Sequence, residues 1–416
     1  MSSITQPSPQ PSNRATATVP LSVQAPMFLV GLGHGATHWL LGTFLILLPF
    51  VTRELGLTYT EAGLLVTVLH VASLFGNLGG GMAVDMSGRR VLFLVICLVV
   101  GGGGLLGFGL SPSYVAMLPM VVLISFGNSF WHSPAISYIS LRFPSRRGYA
   151  LSMHSTGASL GDMLSPGVAG LLLTWVSWRY AAAAGMLPAL LFAVITFFML
   201  LPGDSATVGE SSKGMSLGQW LGEAKQMLFR RSMLAMGLMV AFRGMGQAGI
   251  TVFLPLYIAD VLQVGPALVG GAILGMHLGA VVMTPIAGHI SDRIGRRPVV
   301  MVGLASTTLI VLGLTQVSNT ILFFAGVFLL GFALYSIRAV MQSWMIDISP
   351  PQMSGTASSM FFIMQHAFSA TMPVIGGMMA DSYGLFEVFY LIAGVMVVAN
   401  LMILLVPRSA GHGTSQ

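Results

Sequence analysis

Twelve apolar stretches, each about 20 to 28 residues long, run through the chain, and the charged residues gather almost wholly in the short segments between them. Coiled as a helix at 1.5 Å per residue, a stretch of that length crosses the roughly 30 Å hydrocarbon core of a bilayer, with tilt for the longer ones. They fall near residues 27–50, 60–84, 91–110, 114–140, 148–174, 180–201, 233–258, 267–290, 298–317, 320–346, 355–380 and 385–406. Backbone polar groups in hydrocarbon must be satisfied within their own segment, so the pattern predicts an all-α polytopic membrane protein. A water-solvated fold fails on composition, because only 7% of residues are charged where a soluble domain carries about a quarter.

The twelve stretches form two copies of six. Gly81-Met-Ala-Val-Asp85-Met-Ser-Gly88-Arg89-Arg90 returns 207 residues later as Gly288-His-Ile-Ser-Asp292-Arg293-Ile-Gly295-Arg296-Arg297. At the same offset Gly63 answers Gly270, His70 answers His277, Pro166 answers Pro373 and Gly170 answers Gly377. One shared motif could be chance, but several features at one spacing indicate a tandem repeat. The expected organisation is a disordered tail over 1–26, a six-helix bundle over 27–202, a polar linker over 203–231, a second bundle over 232–407 and a short tail over 408–416. Within the linker, 216–229 reads equally as a surface amphipathic helix or a flexible connection.

Charge placement sets orientation. With the amino terminus in the cytoplasm, fourteen Lys and Arg fall inside and only Arg53 and Arg179 outside; Arg243 and Arg338 lie within helices and complete the 18. Such a bias puts both termini and both motif loops in the cytoplasm. A pI near 9.8 rests on these few loop residues, so it reports topology rather than a nucleic-acid partner. The lone cysteine, Cys97, forms no internal disulfide.

Twelve spans in two parallel repeats, each with a Gly-x-x-x-Asp-x-x-Gly-Arg-Arg loop after its second helix, resemble the major facilitator superfamily. The second loop carries the whole motif, Gly288, Asp292, Arg293, Gly295, Arg296 and Arg297; the first, with Gly81, Asp85, Gly88, Arg89 and Arg90, has Met86 where an arginine is usual. The resemblance implies gating roles for these residues, with Asp85 latching near Ser354-Gly355 when the transporter opens outward. Within the superfamily, Gly127-Asn-Ser-Phe-Trp131-His132-Ser-Pro134 resembles the fourth helix of fosmidomycin-resistance type exporters, although His38 stands where that group tends to have an acid. The glycine and proline pattern of residues 157–170 is similar to the fifth helix of drug:proton antiporters.

Charged groups at bilayer depth cost at least a few kcal/mol, so each implies a partner or a wet cavity. Asp162 is the one acid expected deep in a helix and is the candidate proton-coupling carboxylate; an ion pair to an arginine is the competing role. By the resemblance, the first, fourth, seventh and tenth helices line a central cavity. That places Arg243, Arg338, His34, His38, Trp131, His132, Gln247 and Gln342 as substrate-binding candidates, with His132 a second coupling candidate and two guanidinium groups favouring an anion. His70 and His277 are expected to bond neighbouring helices. His34 and His38, four apart, share a helix face that would suit a metal. No Cys, Asp or Glu accompanies them in that helix, so no metal is expected.

The reading is a secondary transporter of a small organic solute, with no catalytic residues and no cofactor beyond a proton gradient. Its partners are that solute and the bilayer, as a monomer in a bacterial inner membrane. Proton antiport with export of a drug-like or anionic compound leads; uptake of an organic anion by proton symport is second. No phosphate-binding loop is present to use ATP. An intramembrane protease would need a second deep aspartate, and a receptor would need a soluble domain.

Overall fold

The computed structural model describes residues 21–203, 229–349 and 354–406, with Gly218, Gly222 and Lys225 between the halves; the side chains of 21–23, Asp85 and 354–359 are outside the description. Most of the 216–229 segment, and the proposed contact of Asp85 with Ser354-Gly355, therefore lie outside the described residues. All regular structure within them is helical. The twelve segments are α1 (Leu21–Leu55), α2 (Tyr59–Ser87), α3 (Arg90–Leu110), α4 (Tyr114–Arg142), α5 (Arg147–Leu172), α6 (Trp178–Leu200), α7 (Arg231–Asp260), α8 (Pro266–Ile294), α9 (Arg296–Leu314), α10 (Thr320–Asp347), α11 (Ser354–Ser369 and Met372–Tyr383) and α12 (Leu385–Met402).

Helix α1 begins at Leu21, six residues ahead of the expected start, and Pro26 near that end costs it only one backbone hydrogen bond. Ten of the described helices are long and apolar enough to cross a membrane. Helix α5 is outside that set because Ser152, His154, Ser155, Thr156, Ser159 and Asp162 lower its hydropathy, and α11 because it breaks at Ala370-Thr371. Segments α4 and α10 break at near-equivalent places, after Ser129 and after Leu334. Each break sits beside a candidate site residue, His132 in one bundle and Arg338 in the other.

Glycines set how closely the helices approach. Along the α1–α5 seam a Cβ on Gly157 would overlap the carbonyl of Gly31, and one on Gly161 would overlap that of Gly35. From the other side, a Cβ on Gly31 would stand 2.9 Å from the Met153 oxygen and one on Gly35 2.7 Å from the Gly157 oxygen. Two glycines four residues apart on each helix thus make a small-residue face that brings backbones into contact without a hydrophobic driving force. Gly157→Ala is expected to lower stability by about 1–3 kcal/mol through overpacking, read as a lower melting temperature in detergent.

The two bundles meet at the end that carries Arg53. Its guanidinium pairs with Asp260 at 2.9 Å and donates to the Ala259 carbonyl at 3.2 Å, while the Tyr59 hydroxyl donates to Asp260 at 3.2 Å. Asp381, on α11, accepts from the backbone N–H groups of Tyr59 and Thr60 at 2.8 and 2.9 Å and from the Thr60 hydroxyl. A carboxylate on the free N–H groups and positive dipole end of α2 is a favourable cap. Deeper, a Cβ on Gly270 would overlap the Pro166 carbonyl, and one on Gly63 would overlap the Pro373 carbonyl. These two contacts, α5 on α8 and α11 on α2, are images of each other under the 207-residue repeat.

At the opposite end the motif loops carry bonds to their own bundles. Gly88 (φ 67°) closes α2 with its N–H on the Val84 carbonyl at 2.8 Å, and Arg90 donates to Ser137 of α4 at 2.7 Å. Gly295 (φ 92°) turns the chain after α8, and Arg296 bonds Asp292, Ser291 (2.7 Å) and Asp347 of α10 (3.2 Å). Both glycines occupy the left-handed region that the motif's Gly-Arg-Arg turn requires. Asp381→Asn is expected to weaken closure of the Arg53 end by about 1 kcal/mol, roughly fivefold in population. Cysteine labelling at Thr60 should then become faster.

Candidate transport site

The α1–α5 seam delivers two polar pairs to the bundle interior. His38 Nδ1 donates to Asp162 Oδ1 at 2.8 Å, and one turn away His34 Nδ1 donates to the His154 carbonyl at 2.9 Å. His34 and His38 are four residues apart on α1, and His154 and Asp162 eight apart on α5, so each helix presents both of its partners on one face. The spacing matches the glycine faces, and a Cβ on Gly161 would also crowd the His38 Cβ at 2.9 Å.

The break in α4 adds Trp131 and His132. Trp131 is fully buried over Gly33 and donates its indole N–H to His154 Nε2 at 3.2 Å. The His34 ring stacks on that of His154 with centroids 3.8 Å apart and meets the His132 ring edge-on at 5.0 Å. His132 Nδ1 donates to the Ser129 carbonyl at 3.2 Å. Three helices of the first bundle therefore converge on four imidazoles and one carboxylate.

The second bundle faces them with a cationic set. Arg338, in the second stretch of α10, lies 5.8 Å from the Phe362 ring centroid, and both Arg338 and His277 interact electrostatically with Asp162 across the interface. The His277 ring packs 5.1 Å from that of Tyr335, whose hydroxyl stands 3.5 Å from Thr251. Gln342 is half-buried one turn beyond Arg338. His70, expected to hydrogen-bond a neighbouring helix, instead sets its ring 5.9 Å from that of His366 across the bundles, with Nδ1 unpartnered.

Arg243 is fully buried between α7 and α10. One nitrogen donates to the Leu334 carbonyl at 2.9 Å; Nε and Nη1 have no partner, and neither does Gln247 Oε1 one turn on. Arg338, of the same sign, lies within electrostatic reach of it. A guanidinium held at one nitrogen, with two donors free and another cation nearby, is arranged to accept an anion.

The sequence-level candidates thus gather in two groups, His34, His38, Trp131, His132 and Asp162 in one bundle and Arg243, Gln247, Arg338 and Gln342 in the other. The motif residues stand apart from them at the far end. Tyr335 and Thr251 join the site without having been singled out, and His154, one of eight histidines in or beside helices, joins it without having been given a role of its own. For His154 a signal existed in its two-turn spacing from Asp162 across Gly157 and Gly161; for Tyr335 and Thr251 nothing distinguishes them from packing residues.

The sequence profile of the Major Facilitator Superfamily matches residues 27–277 and 236–415. A probable 4-methylmuconolactone transporter of Cupriavidus pinatubonensis is 26% identical over 377 residues, 88% of this chain and 86% of that protein. The multidrug resistance protein MdtG of Klebsiella pneumoniae is 23% identical over 92% of this chain and 93% of its own. Among solved structures, a bacterial homologue of the human lysosomal transporter Spinster superposes with a TM-score of 0.79 at 15% identity, covering 94% of this chain and 98% of its own.

Proposed function

The chain belongs to the Major Facilitator Superfamily and is a transporter of small solutes rather than an enzyme, and on that premise we propose that it moves a small organic anion together with protons by alternating access. The observation that carries the substrate class is Arg243, buried with two free donors and within electrostatic reach of Arg338. A carboxylate entering between them satisfies donors that otherwise remain orphaned at a cost of about 1–3 kcal/mol each. The relative named for 4-methylmuconolactone puts lactones and carboxylates first in the test panel.

The charge arrangement supports symport, the second of the two sequence-level directions. A proton taken up by the His38–Asp162 pair makes the cavity more positive and so attracts an anion; its loss favours release. Proton and anion bind together under this scheme, whereas antiport requires them to exclude each other. Export by antiport stays the reading for a neutral or cationic solute and is favoured by the relative named for multidrug resistance. In a bacterial inner membrane with both termini in the cytoplasm, the Arg53 end, where the bundles meet, is external. That assignment rests on the fourteen-to-two bias of basic residues.

The test is proton flux in proteoliposomes on imposing a carboxylate gradient. Symport predicts protons moving in the direction of the anion; movement against it would establish antiport, and anion movement without protons would remove coupling from the reading.

A further inference from the structure

Three imidazoles from two helices meet with their hydrogen bonds oriented alike. His34, His38 and His132 each bind an oxygen acceptor through Nδ1, a backbone carbonyl for His34 and His132 and the Asp162 carboxylate for His38. Only a protonated nitrogen can donate to oxygen, so in each neutral ring the proton sits on Nδ1 and Nε2 carries the lone pair. The His34 and His38 Nε2 atoms are buried and have no hydrogen-bond partner. One ring nitrogen from each of the three residues lies within 4.8 Å of the others.

Buried lone pairs left without a donor, as at His34 and His38, are costly unless a cation takes them up. We propose that His34, His38 and His132 form a binding site for a divalent transition-metal ion of the imidazole-preferring kind, such as zinc. Three nitrogens at about 2.0–2.1 Å from zinc stand roughly 3.4 Å apart, so small side-chain rotations close the site. His38 brings the outer-shell partner such ligands use, its Nδ1–H on a carboxylate that orients the ring and offsets the ion's charge. The pair on α1 lacks an acid in its own helix. Asp162 reaches it from α5 and the third imidazole from the break in α4. Three protein ligands leave a fourth position for a water or an added ligand.

The test uses the full-length protein in detergent, stripped with chelator, titrated with zinc by calorimetry and with cobalt(II) by visible absorption. The expected result is one ion per chain, with cobalt bands of tetrahedral intensity. His34→Ala and His132→Ala should each weaken binding at least about tenfold, and Asp162→Asn by about 10- to 100-fold. His289→Ala, at an exposed histidine on α8, should leave binding unchanged. Absence of visible cobalt bands in the parent, or one-to-one binding indifferent to His34 and His132, overturns the proposal. Should His34→Ala fail to fold for want of its bond to the His154 carbonyl, His132→Ala and the parent cobalt spectrum decide. Binding is read without a gradient, so its failure is separable from failure of transport.

Discussion

Asp162→Asn is expected to abolish proton-driven accumulation of the anion while leaving gradient-free exchange of labelled substrate largely intact. The amide oxygen still accepts from His38 Nδ1, so the α1–α5 seam keeps its hydrogen bond and the fold survives. What disappears is the negative charge, and with it a charge-assisted bond worth about 1.5–3 kcal/mol from the His38 Nδ1–H. Accumulation against a gradient in proteoliposomes, measured beside counterflow exchange, separates the two. Loss of both would make Asp162 a structural residue; persistence of proton-driven accumulation would remove it from coupling altogether.

Arg338→Gln is expected to weaken anion binding by about 10- to 150-fold, the equivalent of one charge-assisted hydrogen bond. Arg338→Lys should fall between, since it restores the charge without the planar fork. Arg243→Met provides the contrast. Its guanidinium is fully buried with two unpartnered nitrogens, so an apolar side chain of similar length should leave thermal stability unchanged or raise it. Anion affinity should nonetheless drop as it does for Arg338→Gln. Equilibrium binding of a labelled carboxylate beside thermal unfolding reads both quantities, and unchanged affinity in Arg243→Met would confine anion recognition to Arg338.

Much of the fold is legible in the chain because bilayer thickness imposes a length on every helix and the repeat imposes a second copy. Gly88 and Gly295 could be read as turn residues from the motif alone, since only that residue takes the left-handed conformation without strain. The candidate site is less legible. His34 and His38 share a face by spacing, but nothing in a single sequence says that the face meets Asp162; that follows from four glycines on two helices finding each other across more than a hundred residues. The two intramembrane arginines looked alike as sequence. Their difference, one fully buried on the Leu334 carbonyl and one partly buried near Phe362, depends on how α7 rotates against α10. The break in α4 has a signal in Pro134, whose missing N–H and ring leave the Phe130 carbonyl without its helical partner, whereas the break in α10 after Leu334 has no proline within a turn of it.

The glycine seam joins α1 to α5 inside one bundle, so His38 and Asp162 travel as one rigid body whichever face of the membrane is open. His277 and Arg338 ride on the other bundle. Any rotation of one bundle against the other therefore leaves one partner of the carboxylate untouched and displaces two. Asp162 becomes a position sensor, registering the relative pose of the bundles as a change in local charge. The sensing lies in the contrast between one permanent and two conditional partners, and Gly161→Ala, which alters no charge at all, should blunt it by loosening the permanent one.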